Sequence, residues 1–364
     1  MIENCPVCVS GKSIPLFKSI APNRLAIREK DDIRPQCFGK LDIVGCGDCG
    51  HIYNSAFKLN DFDKLYGDVP LTNVPVDPRT HQRLKDISGW LHNESIDGKD
   101  VIEIGCGSGY FSRLIAPTAR KVTVYEPCLN LTQDMLPEKN IELVNDFFQE
   151  KHTYSRADQI ICRHVLEHVA NPNELLSNIH RSLLDLGEAY LEVPSSSYVI
   201  EKNALFNFHL PHINYYHPAH LKSLCERNGL IVTDHCVLAD GHDFGIKCKK
   251  SRQNPDVKII RLDIDFISLA EKFHAIYERL KEVFLRLPEG TALYGANMNA
   301  QTFLNFIKHD IKFSVCFDDN NLLSEYALYN SCQKVPICKA TKSTLNKIPA
   351  VIITAYLHEN AIRS

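Results

Sequence analysis

Two acids, each at the end of a β-branched run, give this chain its most specific chemistry. Val101-Ile102-Glu103-Ile104-Gly105-Cys106-Gly107-Ser108-Gly109 is a short apolar run that carries an acid and ends in three alternating glycines. That pattern fits a buried strand turning tightly into a helix that starts near Tyr110. Glycines at such a turn let a ligand sit against bare backbone. Downstream, Val122-Thr123-Val124-Tyr125-Glu126 is a second run ending in an acid, placed to bind two vicinal ribose hydroxyls at the carboxyl edge of an open α/β sheet. A dinucleotide fold would show Gly-x-Gly-x-x-Gly and hold pyrophosphate on its helix N-terminus. Here Tyr110 stands at the place of that third glycine, and the third glycine falls at Gly109. Glu103 is a poor neighbour for phosphate and a good one for a cationic amino group.

The ordered pair resembles motif I and the second-strand acid of the class I S-adenosylmethionine methyltransferases. The resemblance implies an α/β Rossmann-like domain that binds S-adenosylmethionine through Glu103, Gly105, Gly107, Gly109 and Glu126. A nucleotide-free Rossmann-like turn is the alternative. A third strand, Ile141-Glu142-Leu143-Val144, precedes Asn145-Asp146-Phe147-Phe148, where that family places its adenine contacts. This implies Asp146 on the adenine amino group and Phe147 beside the ring. A fourth strand from Ala157 leads through Arg163 and His164 into Val165-Leu166-Glu167-His168-Val169, which resembles the post-strand-four segment of many small-molecule methyltransferases. There, Arg163 and His164 would face the methionine end of the cofactor and the methyl group. His164 and His168 share a helical face and suggest a metal. No third ligand lies nearby in sequence, which favours capping or core roles. Glu188 to Pro194 alternates apolar and polar residues and reads as a fifth strand.

Ahead of this unit stand two Cys-x-x-Cys knuckles, Cys5-Pro6-Val7-Cys8 and Cys46-Gly47-Asp48-Cys49. Four such thiols suit one tetrahedral zinc ion and leave no open position for catalysis, so a structural site with Cys5, Cys8, Cys46 and Cys49 as ligands is expected. Cys37 and His51 are spare donors, so the ligand set stays open; reduced thiols or a redox pair are the alternative. Residues between Leu16 and Val44 would form the strands that carry the knuckles together.

Behind the fifth strand, Phe206-Asn207-Phe208-His209-Leu210-Pro211-His212-Ile213-Asn214-Tyr215-Tyr216-His217 is dense in titratable rings. Its place resembles the Tyr-His-Glu-His pattern of the sugar C-methyltransferases of deoxysugar biosynthesis, a likeness that extends from the knuckles to the last domain. His209 stands for their tyrosine, Leu210 for their first histidine and Pro211 for their glutamate, while His212 and the pair Tyr215-Tyr216 survive. The candidate bases are therefore His209 and His212, with Tyr215 or Tyr216 positioning the acceptor and His164 in reserve. A polar loop without catalytic work is the alternative.

Lys249 to Asp256 reads as a linker, followed by a helix from Asp265 to Leu285. Tyr294-Gly295-Ala296 and Phe317-Asp318-Asp319 then repeat the grammar of strand, glycine turn, helix, strand, acid. Tyr-Gly-Ala is shared with the last domain of the sugar enzymes, but their following Lys-Gly is missing, and the chain ends earlier than their pattern. With one glycine, this second unit is a poor cofactor binder and is expected to wall the substrate cleft. The resulting organisation is a zinc module over 1–59, the methyltransferase domain with its leading helices over 60–250, and a smaller Rossmann-like domain over 255–364. A loop rich in proline, residues 68–78, lies between the leading helices near Tyr66 and is placed to cover the cofactor.

A chain of 364 residues is long enough for two or three domains with substantial cores. The formal net charge of −3 favours neither nucleic acid nor an anionic membrane surface. No apolar run approaches the ~20 residues of a membrane span. The amino terminus has neither a basic nor an apolar leader segment, so the cytoplasm is expected. Single cysteines such as Cys106, Cys162, Cys225 and Cys316 lie in apolar patterns as small core residues. The expected function is methyl transfer to a small molecule, by resemblance a nucleotide-linked sugar methylated on carbon or oxygen. An RNA methyltransferase with a zinc module is a second reading; Arg24, Arg28, Lys30 and Arg34 alternate with Glu29, Asp31 and Asp32, which breaks up its basic stripe. A cofactor-binding pseudoenzyme is a third. The acceptor, the methylated atom and the oligomeric state are not fixed by the sequence.

Overall fold

The computed structural model describes residues 1–22, 27–29, 38–58, 78–91, 96–252, 257–306, 312–329, 333–355 and 359–363. In chain order its strands are β1 (Ser13–Pro22), β2 (Ile27–Glu29), β3 (Phe38–Cys46), β4 (Ile52–Asn54), β5 (Asp100–Ile104), β6 (Lys121–Tyr125), β7 (Ile141–Val144), β8 (Ala157–Arg163) and β9 (Leu183–Pro194). They continue as β10 (Asn214–Tyr215), β11 (Leu230–Leu238), β12 (Asp243–Lys250), β13 (Ala292–Tyr294), β14 (Cys316–Phe317), β15 (Tyr326–Tyr329), β16 (Lys334–Cys338) and β17 (Val351–Ile353).

The middle sheet runs β11-β12-β9-β8-β5-β6-β7. From β7 to β9 all pairs are parallel, and β12 is antiparallel to both of its neighbours. The chain travels outward one way from β5 through β6 to β7, then returns to β8 and travels the other way. Strand order thus reverses between β5 and β8, and in open α/β sheets ligands collect at the carboxyl ends flanking such a reversal. Because β12 is antiparallel, its first residue, Asp243, comes to the same edge as the ends of β8 and β9.

Helices cover both faces of this sheet. Val101, Ile102 and Ile104 are all buried, as a continuous apolar run demands when both faces are covered. On one face Leu84, Ile87 and Leu91 of the helix Pro78–Leu91 pack with Phe111 and Ile115 of the helix Tyr110–Ile115. On the other, the helices Pro172–Ser182 and Pro218–Arg227 share one core with Cys5, Val7, Cys46, Cys49 and Tyr53. The helix Pro172–Ser182 starts where expected for its residues: the Asn171 side chain accepts the Glu174 N–H, and proline fills the first turn. Residues 60–77, with Tyr66 and nearly all of the proline-rich loop, lie outside the described residues, as does Cys37.

A four-stranded sheet, β1-β3-β4-β10, carries the knuckles, with β1 and β3 forming a long antiparallel pair. The last sheet runs β17-β13-β14-β16-β15-β2, parallel from β17 to β16. Two short strands join sheets distant in sequence. β10, from the histidine-rich segment, pairs Tyr215 with Ile52 of β4, and β2 pairs Ile27 with Leu328 of β15. Strands this short carry no periodic signal, so their partners were not legible in the chain. β9 also begins at Leu183, ahead of the Glu188 expected from the alternation.

A third core joins the first sheet to the helix Phe266–Phe284 through Leu41, Ile43, Ile52, Phe208, Phe266, Leu269 and Phe273. Asp265 caps this helix, accepting from the Ser268 N–H at 3.0 Å. Gly45 lies directly under the Phe266 ring, where an added Cβ would fall 2.4 Å from ring carbons. Overpacking of this kind costs about 1–3 kcal/mol. Gly45→Ala is expected to lower the urea midpoint accordingly while leaving ligand binding at the middle sheet in place; an unchanged midpoint would show that the contact does not hold these two layers together.

Candidate functional site

The turn after β5 is built as its glycines require. Gly105, Gly107 and Gly109 have φ of 73°, 58° and 75°, a left-handed backbone that side chains disfavour. Space is short as well: a Cβ on Gly105 would stand 2.2 Å from Val165 Cγ2, and one on Gly109 would stand 2.3 Å from Leu136 Cδ2. Glu126 closes the loop from the next strand. Its Oε2 accepts the Gly107 N–H at 2.8 Å and its Oε1 accepts the Cys128 N–H at 3.0 Å, and burial raises its pKa. Glu103, 2% exposed, accepts from the Ser112 hydroxyl, and burial pushes its carboxyl up to about 7. A buried acid held this close to neutrality gains most from a cationic ligand. The loop is thus lined by two buried carboxyls and bare backbone.

Asp146 and Phe147 follow β7 next to this loop. Asp146 Oδ1 accepts the Phe147 N–H at 2.8 Å, and Lys151, paired with the other oxygen, lowers its pKa. The carboxylate is partly exposed at the sheet edge.

Arg163, expected at the methionine end, is paired with Glu192. Its Nε and Nη2 donate to Glu192 at 2.9 and 3.2 Å, and its guanidinium lies 4.7 Å over the Phe111 ring. The register places Arg163 directly opposite Glu192 on β9, so the pair is set by strand alignment. Burial opposes charge on both, yet each holds the other ionised: Arg163 is pushed up and Glu192 is held well below the usual carboxylate range. Arg163 therefore braces the sheet edge through its Nε and Nη2.

His164 has φ of 51° and bonds Glu192 Oε1 through Nε2 at 3.0 Å, with Glu167 Oε1 3.5 Å from Nδ1. Burial disfavours its charge, but Glu167, Glu192 and Asp243 outweigh burial and hold the imidazolium to about 10. As an imidazolium it would have to lose this proton before serving as a base.

His209 and His212 do come together, with ring centres 5.0 Å apart. His209 Nδ1 meets Thr302 Oγ1 at 2.9 Å, which ties the histidine-rich loop to the last sheet's helix Met298–Phe306. Burial lowers both pKa values, that of His209 to about 3, so both rings are neutral. The tyrosines take other work than positioning an acceptor. Tyr215 is buried with its hydroxyl accepting the His209 N–H at 3.1 Å and donating to the His209 carbonyl at 3.2 Å. Tyr216 is fully buried with its hydroxyl on the Leu166 carbonyl. Both hydroxyls brace loops because β10 is drawn into the first sheet.

Three groups at this edge escaped the sequence reading. Glu192 looked like the polar side of an alternating strand, but β9 is central and buried on both faces. The others are Asp243 and His242, whose Nδ1 lies 2.8 Å from Asp243 Oδ1 while Asn207 Nδ2 donates to its Nε2 at 2.8 Å. Arg83 completes the group on Asp243 at 2.9 Å. Both ring nitrogens of His242 are thus engaged, Nδ1 by Asp243 and Nε2 by Asn207. The one available signal was Gly241-His242-Asp243 opening a strand.

The four knuckle cysteines converge. Cys5 and Cys49 sulfurs are 3.7 Å apart, those of Cys8 and Cys46 are 3.5 Å apart, and all four lie within 4.8 Å. None is in a disulfide. The knuckles share one geometry: Val9 and Gly50, each following the second cysteine, have φ of 66° and 84° and donate to the carbonyls of Cys5 and Cys46. A tetrahedral ion with bonds of about 2.3 Å spaces its sulfurs about 3.8 Å apart, so the donor set fits a metal. His51 is not part of it: its Nε2 bonds Asn214 Oδ1 at 3.1 Å.

Residues 79–235 match the family model described as a methyltransferase domain. They form a class I, Rossmann-like domain of that kind. A tRNA U34 carboxymethyltransferase of Campylobacter curvus is 24% identical over 111 residues, 27% of this chain and 35% of that protein. The match thus spans about a third of that relative's length. Among solved structures, the N-methyltransferase NodS from Bradyrhizobium japonicum in complex with S-adenosylhomocysteine overlays with a TM-score of 0.38 at 16% identity, covering 50% of this chain and 90% of that one. Magnesium protoporphyrin IX methyltransferase from Synechocystis, with S-adenosylhomocysteine bound, gives 0.41 at 14% identity over 53% and 94%.

Removing the Glu192 carboxylate would leave Arg163 buried and unpaired, a loss of about 3–5 kcal/mol. Glu192→Ala is expected to unfold at clearly lower denaturant than the parent, and wild-type stability in that variant would show that the pair does not organise the edge.

Proposed function

We propose that this chain is an S-adenosylmethionine-dependent methyltransferase acting on a small molecule, with a nucleotide-linked sugar as the favoured acceptor and carbon or oxygen as the methylated atom. The observation that carries methyl transfer is the pair of buried carboxyls, Glu103 and Glu126, bracketing a loop of three left-handed glycines inside the matched domain. In this reading Glu103 takes the cofactor's amino group, Glu126 the ribose hydroxyls, Asp146 the adenine amino group and Phe147 the ring face. The bound cofactor supplies the electrophilic methyl. The chain's own residues align the acceptor and take its proton, and alignment can contribute ~7 kcal/mol or more. His209 and His212 are the candidates for that proton.

Support for a nucleotide-linked sugar is the likeness to the sugar C-methyltransferases at His212, Tyr215-Tyr216 and Tyr294-Gly295-Ala296. It gains weight from the contact of His209 with Thr302, which sets the last sheet's layer beside the histidine loop. The four-cysteine cluster is read as structural zinc. The tRNA-modifying relative favours a second reading, an RNA acceptor, against which the net charge of −3 counts.

Calorimetric titration tests both parts. S-adenosylhomocysteine should bind the zinc-replete protein, and Glu126→Ala should weaken it at least tenfold, about 1.4 kcal/mol; undiminished affinity would sink the ribose assignment. A parallel panel of nucleoside diphosphates, nucleotide sugars and an anticodon stem-loop then separates the acceptors, and binding by the RNA alone would reject the sugar. Metal analysis should find one zinc per chain, lost in Cys46→Ser together with much of the stability, because structural zinc contributes folding energy outright. A metal-free protein of unchanged stability would return the cluster to plain thiols.

A further inference from the structure

His164 and His168 fall in different clusters in the fold: His168 is joined by its neighbour Glu167 and by His212 from far along the chain. Glu167, His168 and His212 each bring a ligand atom to within 4.8 Å of the others. The meeting is enforced by backbone: the Ile213 N–H donates to the Glu167 carbonyl at 2.8 Å, which locks the histidine loop against the turn after β8. Glu167 is 1% exposed and its Oε2 has no hydrogen-bond partner. Buried carboxylate oxygens without partners are rare and call for an explanation such as an ion. The Nδ1 of His168 lies 2.9 Å from the Pro211 carbonyl. Donation to a carbonyl fixes the tautomer and turns Nε2 into the donor of an electron pair, as in the outer shells of metal-bound histidines. The His168 and His212 rings stand 4.8 Å apart, edge to face, and both residues are partly exposed, which leaves a path from solvent.

We propose that Glu167, His168 and His212 bind a divalent transition-metal ion, separate from the four-cysteine cluster, with open positions for an oxygen of the acceptor. Two imidazoles and one carboxylate suit manganese, iron, cobalt, nickel or zinc and leave coordination sites vacant for substrate. An ion with bonds of about 2.1 Å would draw the three donors to roughly 3–3.5 Å apart, a side-chain adjustment on the order of 1 Å. The position is right for a reacting acceptor: Val165, two residues before Glu167, packs against Gly105 of the cofactor loop. A second cluster, His164 with Glu192 and Asp243, has the donors but not the need. Arg163 and Arg83 already neutralise its carboxylates.

The ion's role in holding the acceptor rests on the methyl-transfer reading; the site itself does not. The test is therefore made without cofactor. Full-length protein brought to one zinc per chain, with more weakly held metal stripped by brief chelation, is titrated with Mn2+, which thiolates bind poorly, and free Mn2+ is followed by its paramagnetic resonance. One Mn2+ per chain is expected, with affinity reduced at least tenfold in Glu167→Gln and in His212→Gln and kept in Glu126→Ala. Absence of bound Mn2+, or equal binding by the His168→Gln/His212→Gln double variant, overturns the site. Should a variant fail to fold, the parent still decides: Mn2+ must broaden the imidazole resonances of His168 and His212 first, and broadening elsewhere overturns the assignment. Failure of S-adenosylhomocysteine to bind would instead remove the acceptor role and leave the metal site standing.

Discussion

Glu192 is the group on which the carboxyl edge of the middle sheet depends. Fully buried on β9, it accepts from Arg163 at 2.9 and 3.2 Å, from Tyr190 at 2.8 Å, and pairs with His164 at 3.0 Å. Burying a carboxylate and a guanidinium is costly unless each is paired and hydrogen-bonded, and here both are. The result is an edge whose groups cannot drift independently. Arg163 is held over Phe111, His164 is forced into a left-handed backbone, and the turn that follows leaves Val165 against Gly105 and Glu167 beside His212. The cofactor loop and the histidine cluster are thus referenced to one strand end.

The edge also decides which histidines can do what. His164 lies among carboxylates and is held as a cation, whereas burial, with neighbouring histidines, lowers the pKa of His209 and His212. Residues of one type, close together in one loop system, are sorted into a proton donor, neutral electron-pair donors and, in His242, a ring oriented by Asp243.

The knuckle module is part of the same mechanical unit. Its cysteines share a core with β5, β8 and β9, His220 reaches the Cys49 carbonyl at 2.8 Å, and β10 adds to its sheet. Gathering four thiols therefore also fixes the base of the loop that carries His209 and His212. The helix Phe266–Phe284 secures the far side of that sheet through Phe266 over Gly45. In this way a cluster far from the cofactor loop still determines where the histidines stand.

Local grammar in the sequence determined the glycine loop with its two acids, the strands β5 to β8, the two knuckles and the long helix after Asp265. Each depends on a short window: a run of β-branched residues, a positive-φ turn that only glycine enters cheaply, a pair of thiols on one turn, a helical period. What tertiary structure alone decided is every pairing across long chain separation. Arg163 pairs with Glu192 because strand register set them opposite. Tyr215 and Tyr216 turned into the core because a two-residue strand joined the first sheet, a signal too short to read. His242 and Asp243 reached the site because β12 runs antiparallel to β9, and His212 met Glu167 and His168 because several hydrogen bonds, from Ile213, His168 and Tyr216, close a long loop onto the turn after β8. Residue types and spacing state which chemistry is available; only the closed fold states which groups meet, since contact between distant residues is fixed by the sum of many burials and not by any one of them.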